Sequence, residues 1–283
     1  MSYHARITKA AKALDDARFL IIGGGAGLSA AAGIDLDGEL FRERFGDFIS
    51  AYHITDLYTG GFYPFQTPEE KWAFWSRHIF FTRYDIGGTA LYQTLLTLVR
   101  DKQYYVISTN VDSQFVLAGF DEERVFEVQG DMGNFQCRIP CHRKLYDNQA
   151  AIREMAGNIH NCRIPSALVP KCPVCGGEMN YNLRIDDSFL QDENWYRHEK
   201  SYGDFLEKSS YKKTVFMELG VGYNTPGIIR YPFERMTSQN PQAILIRLNR
   251  DDFCGAPENK SRTILFREDM SRVFSDILLN RKP

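Results

Sequence analysis

Phe19-Leu20-Ile21-Ile22-Gly23-Gly24-Gly25-Ala26-Gly27-Leu28-Ser29-Ala30-Ala31-Ala32-Gly33 is the stretch on which the fold turns. A short apolar run of strand type passes into a segment almost free of side chains that opens a helix. Backbone is therefore laid bare at the carboxyl end of a strand, where amide N–H groups and a helix N-terminus can approach a pyrophosphate. Gly25-x-Gly27-x-x-Ala30 matches a degenerate dinucleotide fingerprint, which by itself is weakly specific, and a tight strand-to-helix turn without ligand competes with it. The acidic residue expected about 20 positions later, at the end of a second strand, is missing. The chain enters an aromatic-rich stretch instead, which disfavours a hydride-transferring dehydrogenase.

Further strand-like runs follow at Tyr104 to Ile107, Val125 to Val128, Thr214 to Leu219, Ala243 to Leu248 and Thr263 to Phe266, with helical stretches such as Thr89 to Arg100 between them. Strands alternating with helices predict a parallel sheet covered on both faces, a doubly wound α/β fold of Rossmann type. Two intervals, Asp35 to Asp85 and Asp131 to about Ser210, are too long to be plain loops. They read as insertions that build a smaller second domain. The expected division is 1–36, 86–130 and 211–283 for the Rossmann-like domain, with 37–85 a helical insertion and 131–210 a zinc-ribbon-like one.

The first insertion is crowded with rings, among them Phe41, Phe45, Phe48, Tyr52, Phe65, Trp72, Phe74 and Trp75. Thr67 can cap a helix there, Pro68 fits its first position and Glu70 completes a capping box. Trp72, Trp75 and Ile79 then share a face, so the rings read as the core of a helical module rather than as a cage for a cation.

With 283 residues, 43% hydrophobic content and a net charge of −2, the chain can bury a core without disulfides. No broad basic face is available for nucleic acid, and no window approaches the roughly 18 apolar residues of a membrane span. The start, Met1-Ser2-Tyr3-His4-Ala5-Arg6, lacks the apolar stretch of a secretory signal, and a cytoplasmic location is expected.

Cys137-x-x-x-Cys141 and Cys172-x-x-Cys175-Gly176-Gly177 supply two pairs of thiols at knuckle spacing, which suits a tetrahedral zinc whose closed thiolate shell makes it structural. The first pair is looser than the common two-residue gap. Cys162 is therefore an alternative ligand, and loss of the metal is the other reading; Cys162 and Cys254 otherwise read as ordinary reduced thiols.

Taken in order, these residues resemble the sirtuin (Sir2) family. Gly25-Ala26-Gly27-Leu28-Ser29 with Gly33-Ile34 looks like its Gly-Ala-Gly-(Ile)-Ser...Gly-Ile motif, and Thr109-Asn110-Val111-Asp112 is similar to its Thr-Gln-Asn-Ile-Asp motif. Val128-Gln129-Gly130 followed by the four cysteines resembles its His-Gly and zinc ribbon. Leu219-Gly220-Val221-Gly222 stands where the family has its Gly-Thr-Ser loop, and Ile246-Arg247-Leu248-Asn249 resembles its Ile-Asn strand end. The resemblance implies NAD as a consumed cosubstrate. Gly25, Ala26, Gly27 and Ser29 would cradle the phosphates, Gly220, Gly222 and Asn249 the adenosine end, and Phe41-Arg42 would stand for the Phe-Arg of the cofactor loop. Asn110 and Asp112 would lie in the nicotinamide pocket with Gln129 beside them, although Asn and Asp after a strand also serve as turn residues.

Departures from the family pattern point to the chemistry. A deacylating sirtuin needs an imidazole at the position of Gln129 to take a proton from a ribose hydroxyl, and an amide has no accessible pKa for this. Met179-Asn180-Tyr181-Asn182-Leu183-Arg184 also lacks the run that pairs with an acyl-lysine peptide. The frame resembles the microbial, macrodomain-linked class of sirtuins (class M). That resemblance implies protein mono-ADP-ribosylation of a lipoylated carrier related to the glycine cleavage H protein, reversed by a macrodomain hydrolase. An NAD-dependent lysine deacylase using another base, such as His142, and a non-catalytic NAD or ADP-ribose sensor are the alternatives.

Overall fold

The computed structural model describes residues 1–34, 38–251 and 254–281. The chain divides into two compact units, one of Met1–Gly33, Gly88–Gln129 and Glu193–Pro283 and one of Ile34–Gly87 and Gly130–Asp192. The boundary expected between 36 and 37 lies outside the described residues.

In the first unit, strands β1 (Phe19–Gly24), β2 (Gln103–Ser108) and β3 (Val125–Glu127) form one half of a sheet. The nine strands of the described residues continue with β4 (Gly130–Cys137), β5 (Tyr146–Asp147) and β6 (Met179–Leu183) in the second unit, then β7 (Thr214–Leu219), β8 (Ala243–Leu248) and β9 (Thr263–Phe266) back in the first. The large sheet runs β3-β2-β1-β7-β8-β9, with all its strand pairs parallel. The chain builds outward from β1 to β3 and then restarts on the other side at β7, so the order reverses between β1 and β7. In open α/β sheets, ligands bind beyond the carboxyl ends of the strands at this switch point.

Alternate residues of each strand face opposite layers, and both layers are apolar. Leu20, Ile22, Val106, Met217 and Ile246 pack with the helices Tyr3–Asp16, Ala90–Val99 and Met270–Asn280. Ile21, Tyr105, Phe126, Phe216 and Leu245 face the opposite side, where Phe233 and Met236 come from the helix Arg230–Gln239. Trp195, Tyr202, Phe205 and Leu206 close that side from the helix Glu193–Ser209. The sequence reading assigned this last helix to the second insertion. It belongs instead to the first unit, because Trp195 meets Phe126 edge-on and Phe205 and Tyr202 pack on Tyr105. No helix among the described residues is long and apolar enough to cross a membrane.

In the second unit a small antiparallel sheet, β5-β4-β6, is accompanied by short helices. The helix Pro68–Ile79 starts as expected, with Thr67 capping, Pro68 at its first position and Glu70 closing the capping box. Glu70 also accepts a bond of 2.6 Å from Arg163, tying the two segments of the unit together. Trp72 packs edge-on against Phe135 of β4, and Phe41, Phe45, Phe48 and Phe74 form a ring cluster, so the aromatics are core.

Within that core His78 is fully buried, stacked on Trp75 at 5.2 Å, and neither ring nitrogen has a hydrogen-bond partner among the described residues. Burial pushes its pKa down to about 4. Below the unfolded value near 6.5, the unfolded chain takes up a proton that the folded one refuses, so stability is full above that value and falls as pH drops towards 4. His78→Phe should therefore flatten the acid limb of the stability profile, gaining roughly 3 kcal/mol over the parent at the low end of the window. Urea unfolding of both proteins at a series of pH values measures this; parallel profiles would refute it.

Candidate functional site

β1 and β7 deliver two glycine-bearing loops to one point. Gly25 N–H donates to Leu219 O at 3.0 Å and Gly27 N–H to Gly220 O at 2.9 Å. A Cβ on Gly27 would lie 2.8 Å from Gly220 Cα, and one on Gly220 would lie 2.2 Å from Leu28 N, with a φ of +62° that favours glycine. Three glycines thus let two main chains touch at the switch point. Ala26 opens the short helix Ala26–Ala31 beside this contact.

Four side chains converge next to it. Asn110, two residues beyond β2, donates through Nδ2 to Gly25 O and Ser29 Oγ, each at 3.0 Å, and to Tyr92 OH at 3.3 Å. Ser29 Oγ donates to Asp112 Oδ2 at 2.5 Å and lies 2.9 Å from Tyr92 OH. Since the serine has one proton and gives it to the carboxylate, Tyr92 is the donor in that last bond. Asp112 also accepts from Gln114 N–H through Oδ1, at 3.1 Å. All four residues are buried. Burial first, and then the Asp112 charge, hold the Tyr92 phenol well above its ordinary pKa, so it remains a donor.

Gln129 follows β3 as Asn110 follows β2. Ser108 pairs with Glu127, and Val128 N–H donates to Ser108 O, so both amides stand two residues past paired strand ends. Adjacent parallel strands lie about 4.8 Å apart, which brings the two loops side by side. Gln129 is half-buried, and Trp195 Nε1 donates to the neighbouring Val128 O. On the other side of the switch point, Asn249 Nδ2 donates to Val221 O at 2.9 Å, and Gly222 is exposed.

The structure thus groups Gly25, Gly27, Ser29, Asn110, Asp112 and Gly220, with Gln129 at the next strand end and Asn249 bonded to the β7 loop. In the second unit, Phe41 is buried against Phe45 in the ring cluster, while Arg42 is exposed on the helix Glu39–Arg44. Tyr92 was missed by sequence reasoning. It sits in an apolar helical run, where a tyrosine reads as core, and nothing local marks the hydroxyl at its tip.

The second unit holds the four thiols. The Sγ atoms of Cys137, Cys141, Cys172 and Cys175 all lie within 4.8 Å of one another, with Cys137–Cys175 and Cys141–Cys172 each at 3.7 Å. A tetrahedral zinc with Zn–S bonds of about 2.3 Å requires sulfur separations of about 3.8 Å, so this donor set fits that ion. The knuckle closes through Cys172 N–H to Gly177 O and Gly176 N–H to Cys172 O, and Gly176 takes a φ of +70°. Hydrogen bonds from backbone N–H groups, that of Cys175 foremost, lower the Cys172 pKa to about 7. Cys162 stands elsewhere, beside Asp47, where burial first raises its thiol to about 11. His142, the alternative base, has its ring nitrogens at Cys141 Sγ (3.0 Å) and Tyr146 OH (2.9 Å), so it belongs to the ribbon.

No protein-family model matches the chain. It is 35% identical over 269 residues to a protein ADP-ribosyltransferase of Staphylococcus aureus, a match covering 95% of this chain and 85% of that one. A probable bifunctional ADP-ribose hydrolase/ADP-ribosyltransferase of Fusarium oxysporum is 27% identical over 83% of this chain, which spans 41% of that protein's length. Among solved structures, Sir2Tm bound to a propionylated peptide superposes with a TM-score of 0.61 at 18% identity, over 96% of this chain and 97% of that one.

Metal analysis of the purified chain should give one zinc per molecule, lost in Cys172→Ser but retained in Cys162→Ser. Chelation should lower the thermal midpoint of the parent and not that of Cys172→Ser. Zinc retained in Cys172→Ser, or lost with Cys162, would refute the assignment.

Proposed function

The chain belongs to the sirtuin-type protein ADP-ribosyltransferases, and from that premise we propose that it transfers ADP-ribose from NAD to a lipoylated carrier protein of the glycine cleavage H type, with Asn110, Asp112 and Gln129 around the reacting ribose. When bound, NAD supplies an ADP-ribosyl group joined to nicotinamide, which departs. The observation that carries the reading is the pair of amides two residues past the paired ends of β2 and β3, with Gln129 rather than a histidine at the second of them.

In this reading Asn110 orients the ribose. Its three bonds all run through Nδ2 to Gly25, Ser29 and Tyr92, which fixes the amide plane and directs Oδ1 as an acceptor. Asp112 keeps the serine and tyrosine hydroxyls aligned, so the amide is held before ligand arrives and little reorganisation is needed afterwards. Gln129 can donate to or accept from a ribose hydroxyl or an incoming nucleophile. It cannot take a proton at neutral pH, and that favours capture of the ribosyl carbon by a protein side chain over the base-assisted resolution that deacylation needs. Gly25, Gly27 and Gly220 pack main chain on main chain, with the Gly25 and Gly27 amides bonded to Leu219 O and Gly220 O, so in this reading the pyrophosphate would lie beside the start of the helix that Ala26 opens. The Fusarium relative, whose name joins a hydrolase to a transferase, supports a partner hydrolase that reverses the modification.

Intact-mass spectrometry of lipoylated and unlipoylated carrier after incubation with the enzyme and NAD should show a gain of one ADP-ribose on the lipoylated form. Asn110→Ala should label at least about 100-fold more slowly, as expected when a positioning group at the reacting centre is lost. Loss of acyl groups from a lysine peptide with no gain on any carrier would establish deacylation instead.

A further inference from the structure

Behind the loop that follows β7 lies a group of buried charges that no motif announces. Arg230 and Arg247 are 1% and 0% exposed, and Glu218 is 0% exposed. Arg247 pairs with Glu218 at 2.8 Å and with Glu234 at 2.9 Å, and Arg230 lies 3.6 Å from Glu218. Taking such charges out of water is costly, and a fold tolerates it where the geometry compensates. Here the geometry is directed at two loops. Arg230 donates through Nη1 to Val221 O and through Nη2 to Cys254 O, each at 3.2 Å, and Arg247 Nη1 also donates to Cys254 O. Val221 O receives a second bond from Asn249 Nδ2. The ring of Tyr223, half exposed, lies over the Arg230 guanidinium at 4.3 Å.

One guanidinium therefore joins the loop after β7 to the loop after β8, both at the carboxyl end of the sheet, where such folds bind ligand. An ion group serving the sheet alone would have no need to reach loop carbonyls. We propose that Arg230 is a positioning residue for the adenosine half of the dinucleotide, setting the segment that begins with Val221 against Gly25, with Tyr223 shielding it from water. The inference rests on the NAD reading above. It depends on the planar fork, because a lysine ammonium keeps the charge but offers one nitrogen on a flexible stem in place of the Nη1 and Nη2 that reach the two carbonyls.

The test is calorimetric titration of the full chain with ADP-ribose, alongside KM and kcat for NAD. Arg230→Lys should weaken ADP-ribose binding about tenfold and raise KM for NAD in step, with kcat within about twofold of the parent, since tenfold corresponds to the loss of one charge-assisted bond. Tyr223→Ala, on the exposed side, should weaken binding about threefold by opening the cation–π contact to water, while Tyr223→Phe preserves it. Wild-type affinity in both Arg230→Lys and Tyr223→Ala, with only a lower melting temperature, would overturn the proposal and mark the group as structural. If Arg230→Lys does not fold, Tyr223→Ala decides alone. Absence of ADP-ribose and NAD binding in the parent would overturn the NAD reading and this inference together. Binding in the parent that neither variant weakens removes only the inference.

Discussion

The contact of Gly27 with Gly220 is the constraint on which the first unit depends. It lies where the strand order reverses, and it lets the turn after β1 and the turn after β7 come within main-chain bonding distance, Gly27 N–H to Gly220 O at 2.9 Å. A side chain at either position would run into backbone, which cannot yield as a flexible side chain can. Everything at the site is placed relative to this contact. Ser29 is fixed two residues beyond it, Asn110 reaches back to Gly25 O from the next strand, and Val221 follows Gly220 directly into the carbonyl held by Arg230 and Asn249.

Much of the large sheet is legible in the sequence because its strands are buried on both faces and read as short apolar runs bounded by turn residues. Thr214–Leu219, Ala243–Leu248 and Thr263–Phe266 have the ends that the sequence reading gives them. The capping box of Thr67 and Glu70 is equally plain, since it is written in four consecutive residues. Strands of the small sheet are harder to read. β4 carries Gly130, Asp131, Gly133 and Asn134, and β6 carries two asparagines. Their burial comes from partners distant in sequence, such as Asn182 Nδ2 bonding Gln136 Oε1 at 2.7 Å. The helix Glu193–Ser209 shows the same limit: its place is decided by Trp195 against Phe126 and Phe205 against Tyr105, contacts that no local pattern encodes.

At the site, residue types with local signatures are legible and residues that act through distance are not. Glycines, Asn110, Asp112 and the paired cysteines stand in recognisable spacings. Tyr92 and Arg230 do not, because each contributes one polar tip carried from a distant element into a cluster assembled by the fold. A tyrosine among leucines reads as core, and an arginine at the start of a helix reads as a solvated charge. Only the hydrogen bonds at Ser29, Asn110, Val221 and Cys254 separate these readings from the observed ones.

The two amides at the strand ends are held in different ways, and the difference bears on mechanism. Asn110 is locked by three bonds from one nitrogen, inside a cluster whose hydroxyls are themselves aligned by Asp112. Gln129 is half-buried and makes no side-chain hydrogen bond among the described residues. A base in that position would need its pKa tuned by burial or a neighbouring charge, and the surrounding structure would have to be arranged around that need. An amide has no such requirement. It can turn to present either its carbonyl or its NH2 to whatever lies before it, so in the proposed reading the same position would orient a hydroxyl or an incoming nucleophile without committing to proton transfer. In the proposed reading, the rigid amide would fix where the ribose sits, and the adaptable one would leave the choice of nucleophile to the acceptor protein.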